Sequence, residues 1–197
     1  MKRIAILILP VVFWASLGWG GTGLEAPKVT DATIQAYFSP NGGCTEAVVE
    51  ALGQAKATVM VQAYSFTSAP IAKALVDAHK RGVRVEVLLD KSQRTEKYSA
   101  ADFLAHAGIS TRIDAQHRIA HNKVMVIDGQ TVITGSFNFT KAAEEHNAEN
   151  MLVIRDKTLA DKYAANWQAH VEHSDVYEGR QEDATRADKP TRKRKAA

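Results

Sequence analysis

At 197 residues, 45% hydrophobic and 24% charged, the chain suits one α/β domain of roughly 150 residues with appendages, and two full domains are excluded. Cys44 is the single cysteine, so an intramolecular disulfide is excluded and stability must come from packing. The formal charge of +3 resides at the ends: without Lys2, Arg3 and a tail from Glu178 that holds seven basic and four acidic residues, the body is near −2. A polyanionic partner would therefore meet a local basic patch or the tail, not a globally positive surface.

The chain opens as an export leader. Lys2 and Arg3 precede an apolar run over 4–14, and the small residues Ser16, Gly18, Gly20 and Gly21 offer cleavage sites. A leader over 1–24 predicts an exported protein, periplasmic or secreted, with no stable membrane association after cleavage. A retained anchor is the competing reading, because Trp14 to Trp19 extends the apolar stretch towards the ~20 residues that span a bilayer.

From residue 31, strand-like and helix-like segments alternate: strand 33–39, helix 45–56, strand 58–66, helix 70–81 with Pro70 at its start and Gly82 after its end. A strand over 83–89, a helix over 98–107 and a shorter strand over 109–113 continue the rhythm, which argues a largely parallel sheet. Asp128-Gly129 then marks a turn between β-branched runs at 123–127 and 131–134, pairing them as an antiparallel hairpin and making the sheet mixed. A strand at 149–154 and an amphipathic helix at 157–171 complete a domain spanning 31–177. The remainder, 178–197, is charged, lacks aromatics and cannot pack a core; it reads as a disordered tail. No internal repeat is visible.

The hairpin carries the chemistry. His121 and Lys123 share a face of an extended segment, while Val124, Val126 and Asp128 take the other. After the second strand come Gly135, Ser136 and Asn138. An imidazole can attack phosphorus, forming a phosphohistidine, or, as an imidazolium, protonate a leaving oxygen; one ring cannot do both in one step. Lys123 and Asn138 suit the non-bridging oxygens of a phosphorane, and Ser136 can add a weaker bond. Asp128 lies on the opposite parity, so with Gly129 and Gly135 it is assigned a structural role. No Zn, Ca or Mg ligand cluster is read from the sequence, and no cofactor is expected. His117, His146, His170 and His173 read as surface groups. Tyr64, Ser65 and Phe66 follow a strand end and could line a cleft or pack in the core, and Arg112 and Arg118 could track phosphates or protect a sheet edge.

The spacing His-x-Lys-x-x-x-x-Asp followed by Gly-Ser-x-Asn, occupied by His121, Lys123, Asp128, Gly135, Ser136 and Asn138, resembles the phospholipase D superfamily signature. The resemblance covers nearly all of 31–175 and implies an α/β/α sandwich with a central mixed sheet. It is nearest to the small exported bacterial endonucleases that carry one motif copy. It further implies that the second histidine is His121 of a symmetric partner, making the chain a homodimer acting on nucleic acid, and that Glu149 sits behind the histidine to fix its tautomer. A largely non-specific, metal-independent DNA endonuclease, with RNA a further candidate substrate, is the expected function. A phospholipid phosphodiesterase of the cardiolipin type and a non-catalytic nucleic-acid-binding module are the alternatives.

Overall fold

The computed structural model describes residues 33–180. The expected leader and residues 181–197 of the expected tail lie outside the described residues.

The elements follow in chain order as β1 (Thr33–Ser39), α1 (Cys44–Gln54), β2 (Thr58–Ala63), α2 (Ala69–Lys80), β3 (Arg84–Asp90), α3 (Ala101–His106) and β4 (Ser110–Asp114), then β5 (Lys123–Ile127), β6 (Thr131–Gly135), α4 (Lys141–Glu145), β7 (Glu149–Arg155), α5 (Lys157–Val171) and β8 (Asp175–Val176). The strands form one eight-stranded sheet in the order β1-β7-β6-β5-β2-β3-β4-β8. Only β2, β3 and β4 pair in parallel. β1 on β7, β7 on β6, β6 on β5, β5 on β2 and β8 on β4 are antiparallel, so the expectation of a largely parallel sheet is corrected while the mixed sheet stands. The physical reason is the connection after β4. Residues 115–122 contain no helix to carry the chain back across a face, and β5 returns antiparallel beside β2.

Helices cover both faces. α1 and α2 pack on one side with Leu52, Ile71 and Leu75 fully buried, and α3 adds Leu104 to the same core. α5 covers the other side, where Ala160 meets Val124, Val126 and Val132, and the Trp167 indole N–H donates to the Val61 carbonyl at 2.9 Å. All five residues of β5 are consequently buried. The hairpin is thus central, and its Lys123 face runs into the main core through Met125 and Ile127 before opening at one end.

The expected helix at 98–107 is shorter than its pattern: 98–100 form turn and loop, the Ser99 hydroxyl accepts from the Ala101 N–H at 3.2 Å, and α3 holds six residues. β1 is an edge strand whose outer end beyond α5 leaves Ile34 and Phe38 more than 60% exposed, at 62% and 65%. Ala36 lies between them on the same face, opposite Leu152 of β7.

Candidate active site

At the end of the hairpin remote from its turn, His121, Lys123, Gly135, Ser136, Asn138 and Glu149 line one cleft of about 340 Å³. The residues expected to act on phosphate are therefore brought together, although His121 itself lies in the loop just before β5. Tyr64, at the end of β2, holds that loop from below: its N–H donates to the Asn122 carbonyl at 2.8 Å, and its ring sits 4.6 Å from the His121 ring, tilted by 54°. Asp90 holds it from the side, because its second carboxylate oxygen accepts from the Ala120 N–H at 2.8 Å. Tyr64 and Asp90 position the histidine through the loop.

Lys123 is buried, and its ammonium donates to the His121 carbonyl at 2.9 Å while lying 5.2 Å from the Tyr64 ring centroid. Burial pushes its pKa below the ordinary lysine value, and the negative charge of Glu149 partly offsets that. Two of its three N–H donors remain to face a substrate oxygen. One amide atom of Asn138, Oδ1, is buried and without a hydrogen-bond partner among the described residues. Such an atom costs about 1–3 kcal/mol until something pairs with it, and a half-turn of the amide would present Nδ2 to an anion.

Gly135 ends β6 at φ +152°, where a Cβ would stand 2.3 Å from the Asn150 carbonyl oxygen; only glycine lets β6 approach β7 so closely. The next residue locks that approach. The Ser136 N–H donates to the Asn150 carbonyl and its Oγ accepts from the Asn150 N–H, both at 3.0 Å, so the hydroxyl hydrogen remains free to point into the cleft. Glu149, at the start of β7, accepts from the Asn147 side-chain amide at 3.1 Å. Among the described residues, no hydrogen bond joins it to the His121 ring.

At the far end of the hairpin, Asp128 and Gly129 both adopt positive φ, 53° and 62°, and the Gln130 N–H closes the turn on the Ile127 carbonyl at 3.0 Å. The Asp128 carboxylate accepts three backbone N–H bonds, from Lys56 at 2.9 Å, Ala57 at 2.8 Å and Thr58 at 2.9 Å. Burial opposes its ionisation, but the bonds from Thr58, Ala57 and Lys56 outweigh that and hold its pKa below the usual carboxylate value. It ties α1 to β2 and lies outside the cleft.

Other sequence expectations resolve by packing. Phe66 is fully buried edge-on to Phe139, with centroids 5.8 Å apart, so it belongs to the core. Arg112 donates to the Ser174 hydroxyl at 2.8 Å and the Ser174 carbonyl at 2.6 Å, which anchors the chain after α5 and spends its donors away from phosphate. Of the histidines read as surface groups, His117 is exposed as expected while His170 and His173 are half-buried, and all three rings converge on the fully buried Asp114 carboxylate. Burial opposes ionisation of Asp114, but hydrogen bonds from His170 and His117 bring its pKa down to about 2. The sequence did hold a signal, two pairs at i, i+3 spacing: Asp114-x-x-His117 and His170-x-x-His173.

Known proteins share this fold. Residues 48–171 match the family described as "Cardiolipin synthase, PLD-like domain". The chain belongs to the phospholipase D superfamily. It is 43% identical over 141 residues to a protein of Rickettsia typhi named phospholipase D, covering 72% of this chain and 69% of that one. It is 33% identical over 169 residues to the mitochondrial cardiolipin hydrolase of Chlamydomonas reinhardtii, covering 74% of this chain and 76% of the relative. Among solved structures, the phospholipase D family member Nuc from Salmonella typhimurium superposes with a TM-score of 0.73 at 40% identity, over 76% of this chain and 100% of Nuc. Superfamily membership and the α/β/α fold make this chain a phosphodiester hydrolase of the phospholipase D type.

Proposed function

We propose that this hydrolase is an exported endonuclease that cuts DNA, with RNA a further substrate, through a covalent phosphohistidine and without a metal at the reacting phosphate. The observation that carries the reading is the cleft lining: among the described residues it holds glutamate and glycine beside histidine, lysine, serine and asparagine, a set of donors suited to phosphate oxygens. A phosphate flanked by polar sugars suits that surface. No helix among the described residues is long and apolar enough to cross a membrane.

In the proposed sequence a ring nitrogen of His121 attacks phosphorus, and Lys123 and Asn138 bond the non-bridging oxygens as their charge grows. The P–O bond to the leaving nucleoside breaks as a second imidazolium donates its proton to that oxygen. The same ring, now neutral, takes a proton from water, whose oxygen attacks phosphorus and breaks the P–N bond, returning His121. The second ring is assigned to the partner subunit's His121, because His121 is the only histidine lining the cleft among the described residues. The exposed strip of Ile34, Ala36 and Phe38 supplies an apolar surface for that partner, with its register ending one residue from Ser39, opposite Glu149. Glu149 is proposed to support the imidazolium once the partner is present.

The test uses the purified protein without its leader, supercoiled plasmid DNA, and EDTA at a temperature where circular dichroism shows the chelated protein folded. Cleavage that persists in EDTA and disappears in His121→Ala is the expected result; cleavage retained by His121→Ala would overturn it. The alternative substrate is a phospholipid, favoured by the names of the Rickettsia and Chlamydomonas relatives. Turnover of cardiolipin vesicles without DNA cleavage would establish that reading instead, and tight DNA binding without any turnover would make the chain a binding module. Light scattering on the same sample reads the proposed dimer.

A further inference from the structure

Three imidazoles crowd one carboxylate oxygen at the β4 end of the sheet. Asp114 Oδ2 has His170 Nδ1 at 2.8 Å, His117 Nδ1 at 2.9 Å and His173 Nε2 at 3.5 Å, and the three ring centroids lie within 5.4 Å of one another, mutually tilted by 30° to 56°. The other oxygen, Oδ1, is already taken by the Gln116 and His117 N–H groups at 3.1 and 3.3 Å. The carboxylate is therefore aimed, with Oδ2 alone turned to the rings.

Hydrogen bonding accounts for two of the three histidines. A carboxylate oxygen accepts two ring N–H bonds readily, and His117 and His170 make them. His173 gains none: its Nε2 is buried and lacks a hydrogen-bond partner among the described residues, and its 3.5 Å separation from Oδ2 is a charge contact only. A nitrogen buried without a partner, aimed at the point where two other nitrogens and an oxygen meet, is what a metal ligand looks like before the ion arrives.

We propose that Asp114, His117, His170 and His173 form a zinc site that staples the end of α5 to the loop carrying His121. The four donor atoms lie within 4.8 Å of one another. Tetrahedral zinc with bonds of 2.0–2.1 Å needs donor separations of about 3.3 Å, so the site closes by about 1.5 Å at most. The side chains able to supply that movement are the more exposed ones, His117 at 45% and His173 at 28%; His170, at 14%, and Asp114 are the fixed half. On binding, each ring turns a lone pair to the ion and keeps or moves its N–H to the other nitrogen.

Three borderline imidazole nitrogens beside one hard carboxylate oxygen suit zinc, and four protein ligands leave no open position, which makes the ion structural. Its place in the fold states what it holds. His117 belongs to the 115–122 loop, whose carbonyl at His117 also accepts from Lys91 Nζ at 3.0 Å, and the loop reaches His121 four residues later. His170 is in the last turn of α5, and His173 precedes β8, the strand that closes the sheet on β4. The ion would join segments far apart in sequence, the arrangement in which a cross-link constrains the unfolded chain most.

The full chain, with any polyhistidine tag removed, is stripped with EDTA, dialysed and titrated with zinc chloride alone. The expected result is one zinc per chain after gel filtration and a rise in Tm of about 5 °C or more. The His170→Ala/His173→Ala double variant should bind none and show no rise, whereas His121→Ala and His146→Ala should each keep both. Cobalt(II) in place of zinc should give the visible band of tetrahedral cobalt in wild type and not in His173→Gln, a milder change if the double variant fails to fold. Wild type that takes up no zinc, a double variant or His173→Gln that keeps the metal, or uptake lost in His121→Ala would each overturn the site. These readouts are independent of catalysis, so they stand or fall apart from the nuclease reading.

Discussion

The two ends of the β5–β6 hairpin use similar residues to opposite purposes. At the turn, Asp128 accepts three backbone N–H bonds and lies outside the cleft. At the open end, an amide atom of Asn138 has no partner, and Lys123 makes one hydrogen bond with three donors to offer. Saturated polar groups build a scaffold; buried, under-satisfied ones wait for a ligand. One contiguous motif thus divides into an end that holds the fold and an end proposed to meet phosphate. The comparison breaks if mutations at the open end act on stability alone, or those at the turn act on chemistry.

The largest effect should come from His121→Ala, which removes the proposed nucleophile and, in the proposed dimer, the proton donor. A fall in kcat/KM of at least about 10³-fold is expected with Tm little changed, since the ring is exposed. Lys123→Ala and Asn138→Ala should follow, each costing about 10²–10³-fold as single donors to a developing anion. Losses below tenfold in properly folded protein would remove these two from the phosphate. Single-turnover rates on a labelled oligonucleotide separate such losses from binding.

The hairpin was legible because its signals are local. Asp128-Gly129 sits between two β-branched runs, and the spacing from His121 to Asn138 spans fewer than twenty residues, so residue parity alone separates Asp128 from Lys123. Strand neighbours were less legible, since the pairing of β1 with β7 joins Thr33 to Arg155 and no local pattern encodes it. The Asp114 cluster was hidden for the same reason: 56 residues separate Asp114 from His170, and each i, i+3 pair by itself resembles an ordinary surface pair. The shortened α3 has a different cause, the Ser99 hydroxyl accepting locally from the Ala101 N–H.

At the turn end, Asp128→Asn should act on stability. It replaces a carboxylate that accepts three N–H bonds with an amide whose own N–H₂ faces donors, at a cost of about 1–3 kcal/mol in urea unfolding, with activity per folded molecule within a few-fold of wild type. The sign with pH follows from a pKa held below its ordinary 3.8 in the folded protein. The contribution of the carboxylate is fully present above the unfolded value and is lost as pH falls through the folded one. The stability gap between wild type and Asp128→Asn should therefore be constant from pH 8 to 5 and close below about pH 4. A gap that widens on acidification would refute the assignment.

The smallest effect separates the two carboxylates most finely, because Glu149 acts at the open end through charge. Burial lowers the Lys123 pKa and the Glu149 charge opposes that, so Glu149→Gln removes the opposition and lowers it further. If the ammonium form of Lys123 stabilises the transition state, the alkaline limb of kcat/KM reports its loss and should move to lower pH in Glu149→Gln. Lys123→Arg should abolish that limb, because a guanidinium does not titrate in the accessible range. A limb that stays in place or moves upward in Glu149→Gln would break the link between the two residues. Glu149 would then have to act on a group other than Lys123, with the imidazole of a second subunit the remaining candidate.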